Sequence, residues 1–212
     1  TVQEFDTALY HQLFDFFYDH EFEMNSHKKQ FRRILPQGFQ NVLFSVSELE
    51  GELWLEVNLG IRINTVEDIA QQFLDNSKAF RNDAMTVVIS VGKLTNNKYF
   101  KYKIHSKEDL EIVCDSVKSF MLQTGFQFLD NYSSLKNLDI LFNKHPNKPT
   151  EYLYNQMHRC FKGAVIAKLS YNPKFLEVLD NYGYFMEKLG AKPTLLDQYE
   201  KLSAYLVHYS PN

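Results

Sequence analysis

The chain has 212 residues, 23 Lys+Arg against 26 Asp+Glu for a net charge of -3, and is 44% hydrophobic and 15% aromatic. That content excludes intrinsic disorder, which needs low hydrophobicity and high net charge, and no apolar run approaches the ~20 residues of a membrane-crossing helix. Area scaling at this length buries about 70% of the unfolded surface, enough for a sizeable core without disulfide or metal staples.

The mildly acidic balance argues against a nucleic-acid partner, since that affinity comes from neutralising phosphates. One basic cluster, His27, Lys28, Lys29, Arg32 and Arg33, is short and flanked by Asp19, Glu21 and Glu23. It reads as a solvated strand edge or an ion-pair partner for the acidic stretch. Cys114 and Cys160 fall at apolar positions of helical patterns, where a free Cys behaves as a small hydrophobe. Two cysteines without a disulfide framework suit a reducing, cytoplasmic setting. The opening TVQEFDTALY is acidic and amphipathic, unlike a secretory signal with its basic start and apolar centre.

Gln3 to Phe22 is patterned as a helix. Phe5, Leu9, Leu13, Phe16 and Phe17 share one side, widened by Tyr10 and Phe14, with Glu4, His11, Asp15 and Asp19 opposite. Between Lys28 and Asn64 the period drops to two. Val42, Phe44 and Val46 alternate with Leu43, Ser45 and Ser47. From Leu53 to Ile63 the odd positions are apolar, while Trp54, Glu56, Asn58, Gly60 and Arg62 face the other way, the signature of a strand with one buried face. Leu49-Glu50-Gly51-Glu52 reads as the hairpin turn between the two runs. Thr65-Val66-Glu67-Asp68 opens a short helix, with Thr65 as the expected cap and the acids meeting the positive helix end. Met85–Val91 and Lys98–Ile104 read as further strands joined by a hairpin loop at Thr95-Asn96-Asn97. Ser106 caps a helix whose core stripe is Leu110, Val113, Cys114, Val117, Phe120 and Met121.

After Gly125 the strand pattern stops. Pro146 and Pro149 bracket a break, and three helices follow: Thr150 to Ser170, one opening at Asn172-Pro173, and a last one beyond Gly190 and Pro193. Strands first and helices after predict an α+β fold. The expected layout is an antiparallel sheet of about five strands with helices on one face in residues 1–145, and a C-terminal helical subdomain over 146–212, packed on the first.

Walker, G-x-G-x-x-G, H-E-x-x-H, G-x-S-x-G and C-x-x-C motifs are not found, so no catalytic residue and no cofactor is assigned. The histidines never pair at i+3 or i+4, the local spacing that zinc and iron sites usually show. His11, Asp15 and Asp19 present an imidazole and two carboxylates along one stripe, yet they lie opposite the apolar arc and read as a solvated face, not a metal site. Cys160 beside His158 reads as core, because residues two apart on a helix point in different directions.

The richest recognition chemistry sits on the polar face of the alternating strand. Trp54, Glu56, Asn58 and Arg62 form a row, with Gly60 allowing close approach. Trp and Arg are among the residues most enriched at binding hot spots, and a guanidinium can clamp a carboxylate or phosphate through two bonds. The competing reading is a polar ladder, with Trp54 packed under a helix and Arg62 paired with Glu56 or a neighbour. These features point to a non-enzymatic binding or interaction protein of accessory or immunity type, with a protein partner, a basic one best matching the chain's acidity, and no membrane role. The alternative is an enzyme or small-ligand binder with a pocket between the sheet and the C-terminal helices.

The order of motifs also resembles a known family. The N-terminal amphipathic helix, Pro36-Gln37-Gly38-Phe39, the strand Val57-Asn58-Leu59-Gly60-Ile61, and Phe128-Leu129-Asp130-Asn131-Tyr132-Ser133-Ser134-Leu135 leading to Leu138 are similar to the bacterial family catalogued as domain of unknown function 4304. The likeness spans roughly residues 5–143, and the charged stretch from Lys93 to Lys103 does not align to it. The resemblance implies a bacterial, cytoplasmic α+β domain and brings no activity or functional residues.

Overall fold

The apolar arc of the first segment becomes helix α1 (Val2–Asp19), opened by a capping box in which Thr1 accepts from the Glu4 N–H while Glu4 reaches back to the Thr1 amine. The computed structural model describes residues 1–211. The fold is α+β, with six antiparallel strands: β1 (Glu23–Asn25), β2 (Gln30–Leu35), β3 (Gly38–Leu49), β4 (Glu52–Ile63), β5 (Val87–Ser90) and β6 (Tyr102–Ile104). β1 to β4 follow one another across the sheet, and β4's far edge is shared. β5 pairs from Asn58↔Ser90 to Ile61↔Val87, and β6 from Leu53↔Ile104 to Leu55↔Tyr102. The β3–β4 hairpin turns where expected, through Glu50 (φ 54°) and Gly51 (φ 79°), the left-handed pair that matches the strands' twist.

Around β4 and β5 the local structure differs from the expected one. The segment after β5 is not a hairpin loop: Ser90 caps a single helical turn, α4 (Val91–Leu94), and the Asn97 N–H returns to the Gly92 carbonyl at 2.7 Å. Gly92 permits this, since a Cβ there would run into the Asn97 carbonyl oxygen. β5 and β6 therefore both add to β4 and not to each other. Helix α2 (Asn64–Ala70) follows β4 directly, with Ile63 at the cap position and no side-chain cap; Thr65 lies inside it, while Glu67 is in the first turn as expected and is buried.

The chain forms two compact units, one of residues 1–61 with 87–131, the other of 62–86 with residues from 132 onward. In the first, α1 covers the sheet through an aromatic cluster. Phe17 stacks on Phe31 of β2 (4.4 Å between centroids), and Tyr10 meets Phe31 and Phe44 at 5.9 Å each. Helix α5 (Lys107–Phe120), capped by Ser106, buries Leu110, Val113, Cys114 and Val117. It continues through a π-helical turn at Met121–Gly125 into α6 (Phe126–Tyr132).

The second unit gathers α2, α3 (Lys78–Asp83), α7 (Leu135–Asn143), α8 (Gln156–Leu169), α9 (Phe175–Lys188) and α10 (Pro193–His208). Its central helix is α8, buried at every position from Arg159 to Ala167. α8 starts later than the pattern suggests because the Gln156 amide bonds the Thr150 N–H and the Thr150 and Leu153 carbonyls, all at 2.9 Å, holding 150–154 as a non-helical turn. Asn172 does not cap α9: its amide donates to both Asp139 carboxylate oxygens at 3.0 Å, and α9 begins three residues later. Among the described residues no helix is long and apolar enough to cross a membrane.

Candidate functional site

The alternation of β4 places Trp54, Glu56 and Asn58 together on a half-buried face. Asn58 donates its amide to Glu56 at 3.1 Å, and the Lys101 ammonium lies 3.8 Å from the Glu56 carboxylate. Lys103, facing Trp54 across the β4–β6 register, holds its ammonium 5.3 Å from the indole ring and pairs with Glu52 at 2.8 Å. The Trp54 Nε1–H is buried without a partner.

Arg62 does not join this row. It is 6% exposed, donating through Nε to Asn64 (2.9 Å) and through Nη1 to the Arg81 and Ala84 carbonyls (2.8 Å each). Its guanidinium fastens the end of α3 to the end of β4 and is not a clamp for an outside anion. The accessible row ends at Asn58.

The basic cluster is similarly engaged. Arg32 lies 3.6 Å above the Phe39 ring and donates to Asn41 at 2.7 Å; Arg33 donates to Gln40 and pairs with Asp130. Lys29 pairs with Asp6 at 3.1 Å. Two of the cluster's cations thus have carboxylate partners on other elements, Lys29 with Asp6 of α1 and Arg33 with Asp130 of α6. His11, Asp15 and Asp19 are exposed, and no group of three or more His, Cys, Asp or Glu side chains gathers among the described residues. Burial pushes the Cys160 thiol up to about 12 and that of Cys114 up to about 11, so both stay protonated at neutral pH and are poor nucleophiles.

Two buried polar networks in the second unit carry no sequence signature. Glu67, fully buried, takes an ion pair from Lys162 (2.9 Å) and hydrogen bonds from Thr86 (2.9 Å) and Gln71 (3.2 Å), and Lys162 also donates to the Met85 carbonyl at 2.8 Å. Arg159 closes the end of α7, donating to the carbonyls of Phe142 (2.9 Å), His145 (3.1 Å) and Lys148 (2.6 Å). A buried charge is tolerated when it is paired and its remaining bonds are made; the Glu67–Lys162 pair meets that condition, whereas Arg159 is held by carbonyls through its two terminal nitrogens and keeps its Nε buried without a partner. Both networks tie distant segments of the second unit together.

A concavity lies in the first unit, along α1. It encloses about 720 Å³ between one stripe of the helix (Val2, Asp6, Tyr10 and Phe14, with Thr7 and His11 beside them) and the end of β1 with the turn after it, which contribute Met24 and Lys29. Lys29 has a left-handed backbone (φ 52°), and that turn brings its ammonium back over Asp6. Phe14 and Met24, 39% and 40% exposed, stand at the mouth, and Phe14 stacks on Tyr18 at 5.8 Å. Below them, Tyr10 Oη and Asp6 Oδ1 are buried with no hydrogen-bond partner. Burial, and then the charge of Asp6, push the Tyr10 phenol above its ordinary range, so it stays a donor.

Sequence reasoning passed over this cleft. The signal in the sequence is the width of the α1 arc: Phe14 lies beyond what the sheet covers and is left 39% exposed, whereas Tyr10 packs on Phe31 and Phe44 and also lines the cleft. Compared with known proteins, the chain matches no family model, no curated protein and no solved structure.

Proposed function

We propose that this protein acts by non-covalent binding, as an accessory or immunity-type protein, and that the α1 cleft receives part of its partner. The observation that carries this is an apolar-walled concavity with an ion pair and two unpartnered polar atoms beneath it. Each polar atom left unmade in a buried setting costs about 1–3 kcal/mol. An occupant that displaces the Lys29 ammonium and reaches them recovers part of that cost. The matching occupant has an apolar body, to lie against Val2, Phe14 and Met24, and one polar end that both donates and accepts.

Binding is favoured over catalysis because the interior groups with chemical potential are committed elsewhere: the thiols are held protonated, and Arg62, Arg159 and Lys162 are tied to carbonyls and carboxylates. A cytoplasmic, bacterial setting belongs to the same reading, supported by two buried unbridged cysteines and by the motif likeness.

Thr7→Trp tests it. Thr7 is exposed on α1 and lines the cleft, so an indole there fills the space while leaving the core untouched. Affinity capture from bacterial lysate should recover a partner with wild type and lose it with the folded variant. Equal recovery by both refutes the cleft as the site. A small apolar compound that raises the melting temperature of wild type but not of Thr7→Trp would assign the cleft to a free ligand instead.

A further inference from the structure

A second groove, in the other unit, is independent of the α1 cleft. Helices α9 and α10 are joined by a short turn at Gly190 (φ 77°) and run beside one another, with a furrow of about 650 Å³ between them. On α9 the furrow extends from Leu176 to Glu187, about 16 Å at 1.5 Å per residue, or three helical turns. Its middle is shallow in side chains, with Gly183 on one helix and Ala204 on the other. A Cβ added at Gly183 would meet only Tyr199, at an ordinary 3.6 Å, so the hollow there is open space and not a site of close backbone approach. Its apolar rims are left in water: Leu176 is 63%, Tyr184 59% and Val207 45% exposed.

The charge of the furrow is one-sided. Asp180, Glu187 and Glu200 line it and no Lys or Arg does; none of the three carboxylates is paired with a cation among the described residues. Asp180 and Glu187 are seven residues apart and so share one face of α9. Two neighbouring helices with an unfilled furrow present the ridges and grooves into which a third helix packs, and unpaired carboxylates along the furrow select a cationic occupant over a neutral or acidic one.

We propose that the α9–α10 furrow docks a basic amphipathic helix of a partner protein. Its apolar ridge enters the hollow between Gly183 and Ala204, and Lys or Arg side chains on its flanks meet Asp180, Glu187 and Glu200. This reading does not rest on the α1 cleft, and either can fail alone.

The probes are three fluorescein-labelled synthetic peptides of about 18 residues, long enough to span the furrow. One is amphipathic with a Leu/Ala face flanked by Lys, the second has Glu in place of Lys, and the third is a scramble of the first. Fluorescence anisotropy at about 0.15 M salt should give saturable binding of the Lys-flanked peptide alone. Gly183→Leu, which fills the hollow, and the charge reversal Asp180→Lys/Glu187→Lys should each weaken it at least tenfold, with circular dichroism confirming that both variants are folded. Thr7→Trp should leave it unchanged.

Failure of the Lys-flanked peptide to saturate overturns the proposal. So does equal binding of the scramble, which would mark a bulk charge effect, and so does full binding by Gly183→Leu. Loss of peptide binding in Thr7→Trp would likewise overturn it by placing the peptide on α1. Sedimentation that shows a wild-type dimer converted to monomer by Gly183→Leu would give the furrow to a second copy of this chain, against the proposal.

Discussion

Two glycine-to-alanine replacements on neighbouring helices should shift stability in opposite directions. At Gly163 of α8 a Cβ would collide with the Tyr182 hydroxyl and lie 2.7 and 2.8 Å from ring carbons Cζ and Cε2. Tyr182 is fully buried, donates to the Phe142 carbonyl at 2.8 Å, engages the Asn143 side chain, and carries the Arg159 guanidinium 4.9 Å from its ring centroid. The ring therefore cannot move without breaking these contacts. Overpacking costs about 1–3 kcal/mol, and a displaced hydroxyl leaves buried polar atoms unmade for about 1–3 kcal/mol more. The better helix propensity of Ala returns about 1 kcal/mol. The net expectation for Gly163→Ala is a loss of about 3 kcal/mol. At Gly183 of α9 the same change meets only Tyr199 at 3.6 Å, so the propensity gain stands nearly alone and Gly183→Ala should stabilise by up to about 1 kcal/mol. Urea denaturation followed by circular dichroism measures both. The packing argument is refuted if Gly163→Ala lies within about 0.5 kcal/mol of wild type, the usual range for innocuous changes, or if the two variants shift together.

The buried Glu67–Lys162 pair supplies a second expectation. Lys162→Met removes the cation and leaves a buried carboxylate with only the Thr86 and Gln71 donors, a loss of about 3–5 kcal/mol. Adding Glu67→Gln should recover much of it in a double-mutant cycle, and a single-variant effect under about 1 kcal/mol would contradict the pairing. A third concerns pH: burial first, then the Lys162 charge, lower the His158 pKa, against an opposing contribution from Glu67. The folded state thus binds fewer protons than the unfolded chain once pH falls below the ordinary histidine value of about 6.5. Stability should decline from there down to the native pKa, with no further His158 contribution below it. Histidine NMR titration should place the His158 midpoint below the ordinary histidine value of about 6.5, and a midpoint at or above it refutes the assignment.

Much of the architecture is legible in local pattern. The two-residue period of Leu53 to Ile63 becomes the buried face of β4, Glu50-Gly51 makes the hairpin, and Ser106 with its apolar stripe becomes α5. The three-residue β1 is too brief for any period to show and exists because β2 offers it an edge, whereas β6 is the last three residues of the strand expected from Lys98 to Ile104. The candidate site divides the same way. The breadth of α1 was visible in Tyr10 and Phe14, whereas Met24 and Lys29 reach the cleft through a turn with a left-handed residue that no composition rule demands.

Arg62 shows where pattern misleads. Alternation puts it on the polar face of β4, yet carbonyls from residues 19 and 22 positions later enclose it. Lys162 and Glu67, which as isolated helical residues suggest solvated faces, neutralise each other in the interior across 95 positions of sequence. The period of an element follows from backbone geometry and immediate neighbours, so a short stretch of chain contains it. The partner of a charge, and the burial that makes that partner necessary, arise only when distant segments pack, and those belong to the fold.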